Sequence, residues 1–120
     1  MRGVWVGPTT EVGRSNEARA VAFLIDRGYA IVERNWRCKV GELDLIARDG
    51  DTLAFVEIRS RADASRGTAL ETVRSAKQRK LAQVAAAYLA AKRPRARACR
   101  FDVVGITGAE IVLVKDAFRV

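Results

Sequence analysis

The sequence has 120 residues, 49% hydrophobic and 30% charged, enough for one domain around one core and too few for two. Lysine and arginine number 22 against 14 acids, a formal charge of +8 with a pI near 10.3; this is the electrostatic footprint of a small nucleic-acid binder, although membrane surfaces and ribosomes attract such a charge too. There is no histidine, which excludes an imidazole base and any His-containing zinc site, so chemistry must rest on carboxylates, lysine or a bound metal.

No run of about 18 apolar residues is present, and the start, MRGVWVGPTTEVGRSNE, lacks the apolar core of a secretory signal; the expectation is a soluble cytoplasmic protein with no membrane contact. Residues 1–14, with Gly3, Gly7, Pro8 and Gly13, show no periodicity and read as an arm, leaving 15–120 as the domain. From Ser15 the pattern is helical. Ser15 or Asn16 can cap, Ala18, Val21, Leu24 and Ile25 recur at helical spacing, and Gly28 is a fitting stop. Strands follow over 29–37 and 41–48, with a third starting at Asp51 across a turn placed at Asp49-Gly50. A long helix is expected over 69–92, with Leu70, Val73, Leu81, Val84 and Tyr88 on its buried stripe and Pro94 beyond its end. Two last strands lie around Gly108. The order is α-β-β-β-α-β-β, an α/β sheet flanked by two helices. Cys38 and Cys99 have no C-x-x-C partner and read as small semi-buried thiols, while Trp36 and Tyr88 suit packing better than base stacking.

The stretch AFVEIRSR, residues 54–61, sets charges in a strand that otherwise reads as buried on both faces. By strand alternation Phe55, Glu57 and Arg59 share a face, and in the preceding strand Glu42, Asp44 and Ile46 point one way and Leu43, Leu45 and Ala47 the other. A hairpin looped at Asp49-Gly50 puts Asp44 diagonal to Glu57, roughly 7–8 Å away between backbones. A loop two residues longer puts them directly opposite; both registers keep Asp44, Glu57 and Arg59 on one face. Glu17 falls on the buried stripe of the first helix, and Lys77 interrupts that of the second. Each alone has a plain reading: an acid favoured at a helix N-terminus, a lysine snorkelling along the core edge. Together they aim at one place. Acids beside a cation suit Mg²⁺ or Mn²⁺ held by carboxylate oxygens, with lysine available to position or deprotonate a water, and phosphodiester hydrolysis uses all of these parts.

The segment from Gly13 to Arg61, with GELDLI at Gly41 to Ile46, FVEIRSR at Phe55 to Arg61 and RFDVV at 100–104, resembles the YraN family. These are predicted endonucleases similar to Holliday junction resolvases, within the PD-(D/E)xK nuclease superfamily. The resemblance extends from about Gly13 to Val114. It implies a restriction-endonuclease-like mixed sheet, Asp44 and Glu57 as metal ligands, Glu17 as an outer ligand or water holder, and residue 59 as the catalytic cation. The family's lysine is Arg59 here, in a chain with 17 Arg and 5 Lys, and an arginine does not give up its proton to act as a base. Lys77 is a candidate for the vacated role. Arg61, Arg66, Arg74, Lys77, Arg79 and Lys80 are the expected grip on DNA, branched or nicked, and symmetric cutting of a junction would need a homodimer. Two other readings stand beside the endonuclease: an inactive nuclease-fold protein that binds DNA junctions or a repair partner, and a small basic RNA-associated protein.

Overall fold

The computed structural model describes residues 11–62 and 73–119, with side chains from Ser15 onward. The elements are α1 (Glu11–Asp26), β1 (Ala30–Arg37), β2 (Glu42–Asp49), β3 (Thr52–Arg61), α2 (Ser75–Lys92), β4 (Ala98–Thr107) and β5 (Glu110–Phe118), in the expected order. They form one mixed five-stranded sheet in chain order, antiparallel except for the parallel β3–β4 pair, which α2 bridges as the crossover. Among the described residues no helix is long and apolar enough to cross a membrane.

The sheet separates two cores. On one face Ala20, Val21 and Leu24 of α1 pack on Leu45, Ala47, Ala54, Val56, Val104 and Ile106. On the other, Leu81, Val84, Ala85 and Tyr88 of α2 pack on Leu43, Ile46, Leu53 and Phe55. Trp36 meets Tyr88 edge-on at 5.2 Å between ring centroids, so both rings pack, as expected. The central strand β3 is therefore buried on both sides, and from Leu53 to Glu57 no residue is more than 4% exposed.

Several boundaries depart from the sequence reading. Helix α1 begins at Glu11, one turn before Ser15, and its buried stripe is Glu17, Ala20, Val21 and Leu24, while Ala18 and Ile25 face solvent. It ends as expected at Gly28, whose φ of 91° lets Tyr29 N–H reach Leu24 O and Gly28 N–H reach Ile25 O. Helix α2 begins at Ser75, because Arg74 is extended at φ −92°, ψ 166°. Val73 thus precedes the helix, and Leu70 lies outside the described residues. The β2–β3 turn is Gly50-Asp51, one residue later than expected, since Asp49 pairs with Thr52 and Gly50 takes φ 62°. That register is the one that carries Asp44 toward Glu57. Cys38 is partly buried against the α2 core, but Cys99 is exposed.

A polar network ties Tyr29 and the end of β2 to β4 and β5. Asp102 is fully buried; its carboxylate accepts from Tyr29 Oη at 2.7 Å, Arg100 Nε at 2.8 Å and the Asp116 backbone N–H at 2.9 Å. Arg100 also reaches Asp49 at 2.6 Å, and Lys115 reaches the same oxygen at 3.0 Å. Burial and the Asp102 charge push the Tyr29 phenol up, and the two cations hold the Asp49 carboxyl down. Asp116 accepts a left-handed φ of 53° in the irregular part of β5 that delivers its N–H to Asp102. Removing the carboxylate takes the acceptor from Arg100 Nε, the Tyr29 hydroxyl and the Asp116 N–H at once, although Arg100 keeps Asp49, so Asp102→Ala should cost about 3–5 kcal/mol in urea unfolding. A loss under about 1 kcal/mol would show that the network does not hold the sheet.

Candidate functional site

The alternation expected along β2 fails at Asp44, and the failure makes the site. Leu45 and Ala47 pack on α1, but Leu43, which should share their face, packs with Ile46 on α2. The same switch occurs on β1. Glu33, opposite Ile46, reaches Lys92 of α2 at 3.9 Å, and Trp36, opposite Leu43, also packs on the α2 core. Between them sits Asn35 at φ 52°, a left-handed conformation that asparagine adopts more readily than most residues. Where both strands turn over, β2 parts from β3: the paired register runs from Asp49–Thr52 to Leu45–Val56. Asp44 Oδ2 then accepts the Ile58 N–H at 2.9 Å, in place of a strand carbonyl. Glu42, Asp44 and Ile46 therefore do not share one face; the Asp44 carboxylate fills the opening between strands.

That opening faces Glu57, which is 4% exposed. Burial, then the charge of Glu57 and a hydrogen bond to it, hold the Asp44 carboxyl well above the usual carboxylate range; the Ile58 N–H pulls the other way. Two cations converge on Glu57 Oε2: Arg59 Nη1 at 3.2 Å from two residues along β3, and Lys77 Nζ at 3.6 Å from the first turn of α2. The lysine that breaks the apolar stripe of α2 thus ends on the same oxygen as Arg59. Close packing brings α2 down here, since a Cβ on Gly41 would stand 3.1 Å from Val84 Cγ2.

Glu17 is also buried, at 5% exposure, yet its partner is Asn35, whose Nδ2 donates to Oε2 at 3.2 Å. Burial raises its carboxyl, with a smaller contribution from nearby Glu42. Among the described residues no group of three acids or cysteines is set to hold a metal, so Glu17 stands beside the Asp44–Glu57 pair and not within it. Asn35 and Glu42 complete the surroundings, and a strand-interior asparagine was the signal available for the first.

Of the expected DNA-gripping residues, Arg74, Lys77, Arg79 and Lys80 are exposed around the start of α2, beside the acids. Arg61 ends β3, and its Nε is buried without a hydrogen-bond partner among the described residues. Arg66 lies outside the described residues. A cavity of about 680 Å³ lies elsewhere, against Thr52, Ala98, Phe101 and Phe118, and its cations Arg100, Lys115 and Arg119 are already paired with Asp49, Asp102 and Asp116.

An acid whose folded pKa is raised binds its proton more tightly in the folded chain. Stability therefore falls as pH climbs from the unfolded carboxyl value, near 3.9, through the raised folded one. Asn at position 44 can still accept from Ile58 and donate to Glu57 without a charge. Asp44→Asn should match or exceed wild type in Tm at pH 7, with the difference shrinking as pH is lowered to about 4. A variant destabilised equally at both values would show that the two carboxylates do not oppose each other.

Comparison with known proteins agrees with this framework. Residues 16–106 match Uncharacterised protein family UPF0102. A UPF0102 protein of Stutzerimonas stutzeri is 51% identical over 112 residues, covering 89% of this chain and 93% of that protein. One from Ralstonia pickettii is 46% identical over 116 residues, 93% of each, and one from Herminiimonas arsenicoxydans is 45% identical over 109, 90% of this chain and 86% of that one. With the match spanning strands, both helices and the paired acids alike, the chain belongs to the UPF0102, or YraN, family.

Proposed function

We propose that this protein is a metal-dependent endonuclease that hydrolyses phosphodiester bonds in branched or nicked DNA, with Asp44 and Glu57 as its metal-binding acids. The observation that carries the reading is their meeting in the gap between β2 and β3, an unfavourable contact that a divalent cation would relieve. Mg²⁺ and Mn²⁺ favour carboxylate oxygens, and Mg²⁺ commonly takes one or two while keeping several waters, so these two residues suffice without Glu17. When bound, such an ion supplies an acidified water and a counter-charge for the phosphate.

The chain's own groups divide the remaining work. Arg59 keeps its proton, so its role is to bind non-bridging phosphate oxygens as negative charge gathers on them. Lys77 stands at the same carboxylate with its side chain 43% exposed, and an amine can exchange a proton. It positions the attacking water and takes its proton as the new P–O bond forms; the bond to the leaving sugar oxygen breaks, and that oxygen acquires a proton from solvent. Arg74, Arg79 and Lys80 hold neighbouring phosphates, and coordinated cutting of both strands of a junction would use two copies. A second reading has its own support: both cations already neutralise Glu57, which suits a DNA-junction-binding protein without turnover.

Labelled duplex, nicked, flap and four-way-junction DNA should be incubated with Mg²⁺ or Mn²⁺ and wild type, Glu57→Gln, Arg59→Ala, Arg59→Lys or Lys77→Ala. Wild type should cut, and Glu57→Gln should lose more than about 100-fold, beyond the effect usual for residues one step removed from a metal. Lys77→Ala should lose activity as well; its full retention alongside loss in Arg59→Ala would remove Lys77 from the chemistry. Silent wild type with active Arg59→Lys would establish the second reading. Independently of turnover, Mg²⁺ or Mn²⁺ should raise the Tm of wild type and leave that of Glu57→Gln unchanged.

A further inference from the structure

The chain's cations are not all used alike at the end of the sheet remote from Asp44 and Glu57. Arg100 and Lys115 are bound to Asp49 and Asp102 and serve the interior. Arg48, Arg95 and Arg97 are not. Residue 48, near the end of β2, and residues 95 and 97, in the α2–β4 connection, line one cleft of about 330 Å³ with Asp51 and Ala96. Arg95 and Arg97 are exposed, and among the described residues none of the three arginines forms an ion pair. The cleft's backbone is held in place. Arg97 N–H donates to Asp51 O at 2.9 Å, which ties the connection to the Gly50-Asp51 turn. On the other side α2 closes at Arg93 in a left-handed conformation, φ 46° and ψ 52°, with Pro94 next.

From this arrangement we infer that Arg48, Arg95 and Arg97 form a second phosphate-binding site for the DNA backbone, remote from the acids and outside the basic cluster at the start of α2. Three guanidiniums on a tethered scaffold, with Asp51 the acid on the cleft wall, present forked donors suited to phosphate oxygens. The spacing suits one continuous ligand. Asp44 and Arg48 lie on the same strand four residues apart, about 13 Å at the usual strand rise, which is about four base pairs of duplex. A duplex arm running from the cut position along the strands would therefore reach the cleft within half a helical turn. Such contacts fix orientation and carry no sequence information, as an enzyme acting on DNA structure would need. The inference rests on the DNA reading of the acidic site.

The test is fluorescence anisotropy with a labelled nicked duplex over a range of salt concentrations, in Ca²⁺ or without a divalent ion so that no cutting occurs. Arg95→Gln/Arg97→Gln is compared with Arg19→Gln/Arg27→Gln, a change of equal charge on α1 and the residue after it, and Tm is checked for all three proteins. The cleft variant should bind more weakly, with the slope of log Kobs against log salt lower in magnitude by about 2, and the α1 variant should keep the wild-type slope. Equal slopes for the two variants would overturn the site and reduce the effect to net charge. Wild type that binds the nicked duplex while the cleft variant binds it equally well overturns the second site alone; wild type that does not bind it overturns the nuclease reading with it.

Discussion

The candidate site depends on one unfavourable contact, the carboxyl of Asp44 against that of Glu57 in a place water scarcely reaches. Like charges at short range in a medium of reduced polarity raise each other's cost, and a fold tolerates the arrangement only when something nearby offsets it. Three things do so here: the hydrogen bond between the two carboxyls, the Ile58 N–H on Asp44, and the two cations on Glu57 Oε2. None of these is a hydrophobic contact, and none is needed by a sheet that already has two apolar cores. The sheet would be simpler with β2 and β3 paired to their ends. Instead the strands part where Asp44 enters, and β1 adopts a left-handed residue to follow.

The contrast with Asp102 separates a buried acid with complete partners from a buried pair without them. Asp102 is more deeply buried than Glu57, yet its carboxylate is surrounded by a phenol, a guanidinium and a backbone N–H in direct hydrogen-bonding range. It has no acid for a neighbour that lacks its own cation, since Asp49 is held by Arg100 and Lys115. Burial with complete pairing fixes geometry; burial of two acids with too few partners leaves a demand for positive charge. The two networks meet the sheet at neighbouring levels but on opposite faces: Asp102 pairs with Val56, which packs on the α1 side, while Glu57, the next residue along β3, turns to Lys77 of α2.

Most of the framework was legible in the sequence. Helical spacing and the Gly28 stop gave α1, alternating apolar runs gave five strands, and the charges in AFVEIRSR marked the site because a doubly buried strand has no other reason to carry them. What periodicity could not give was its own interruption. Leu43 changes face because Asn35, on a different strand, turns over opposite Asp44, a tertiary event that no window along β2 contains. The burial of Glu17 follows from its place on the stripe, but a stripe position does not say which neighbour receives a side chain, and the hydrogen bond from Asn35 could not be read from it. Asp102 was passed over for a related reason: Tyr29, Arg100 and Asp116 are brought together only by the parallel β3–β4 pairing and the irregular course of β5.

The arginine at position 59 can then be weighed against its surroundings. Were it the sole cation at Glu57, the exchange of a lysine for an arginine would place a fixed charge where a proton carrier is wanted. It is not the sole cation, because α2 brings Lys77 to the same oxygen. In a chain where arginines outnumber lysines 17 to 5, one of the few lysines stands at the one carboxylate that Arg59 also holds. The two residues thus divide what one lysine would otherwise combine: charge that never leaves on the strand, and an exchangeable amine on the helix. The division ties the chemistry to the packing of α2. Lys77 comes from the helix whose Val84 stands close against Gly41, so the group that would move the proton is carried by an element packed on the core.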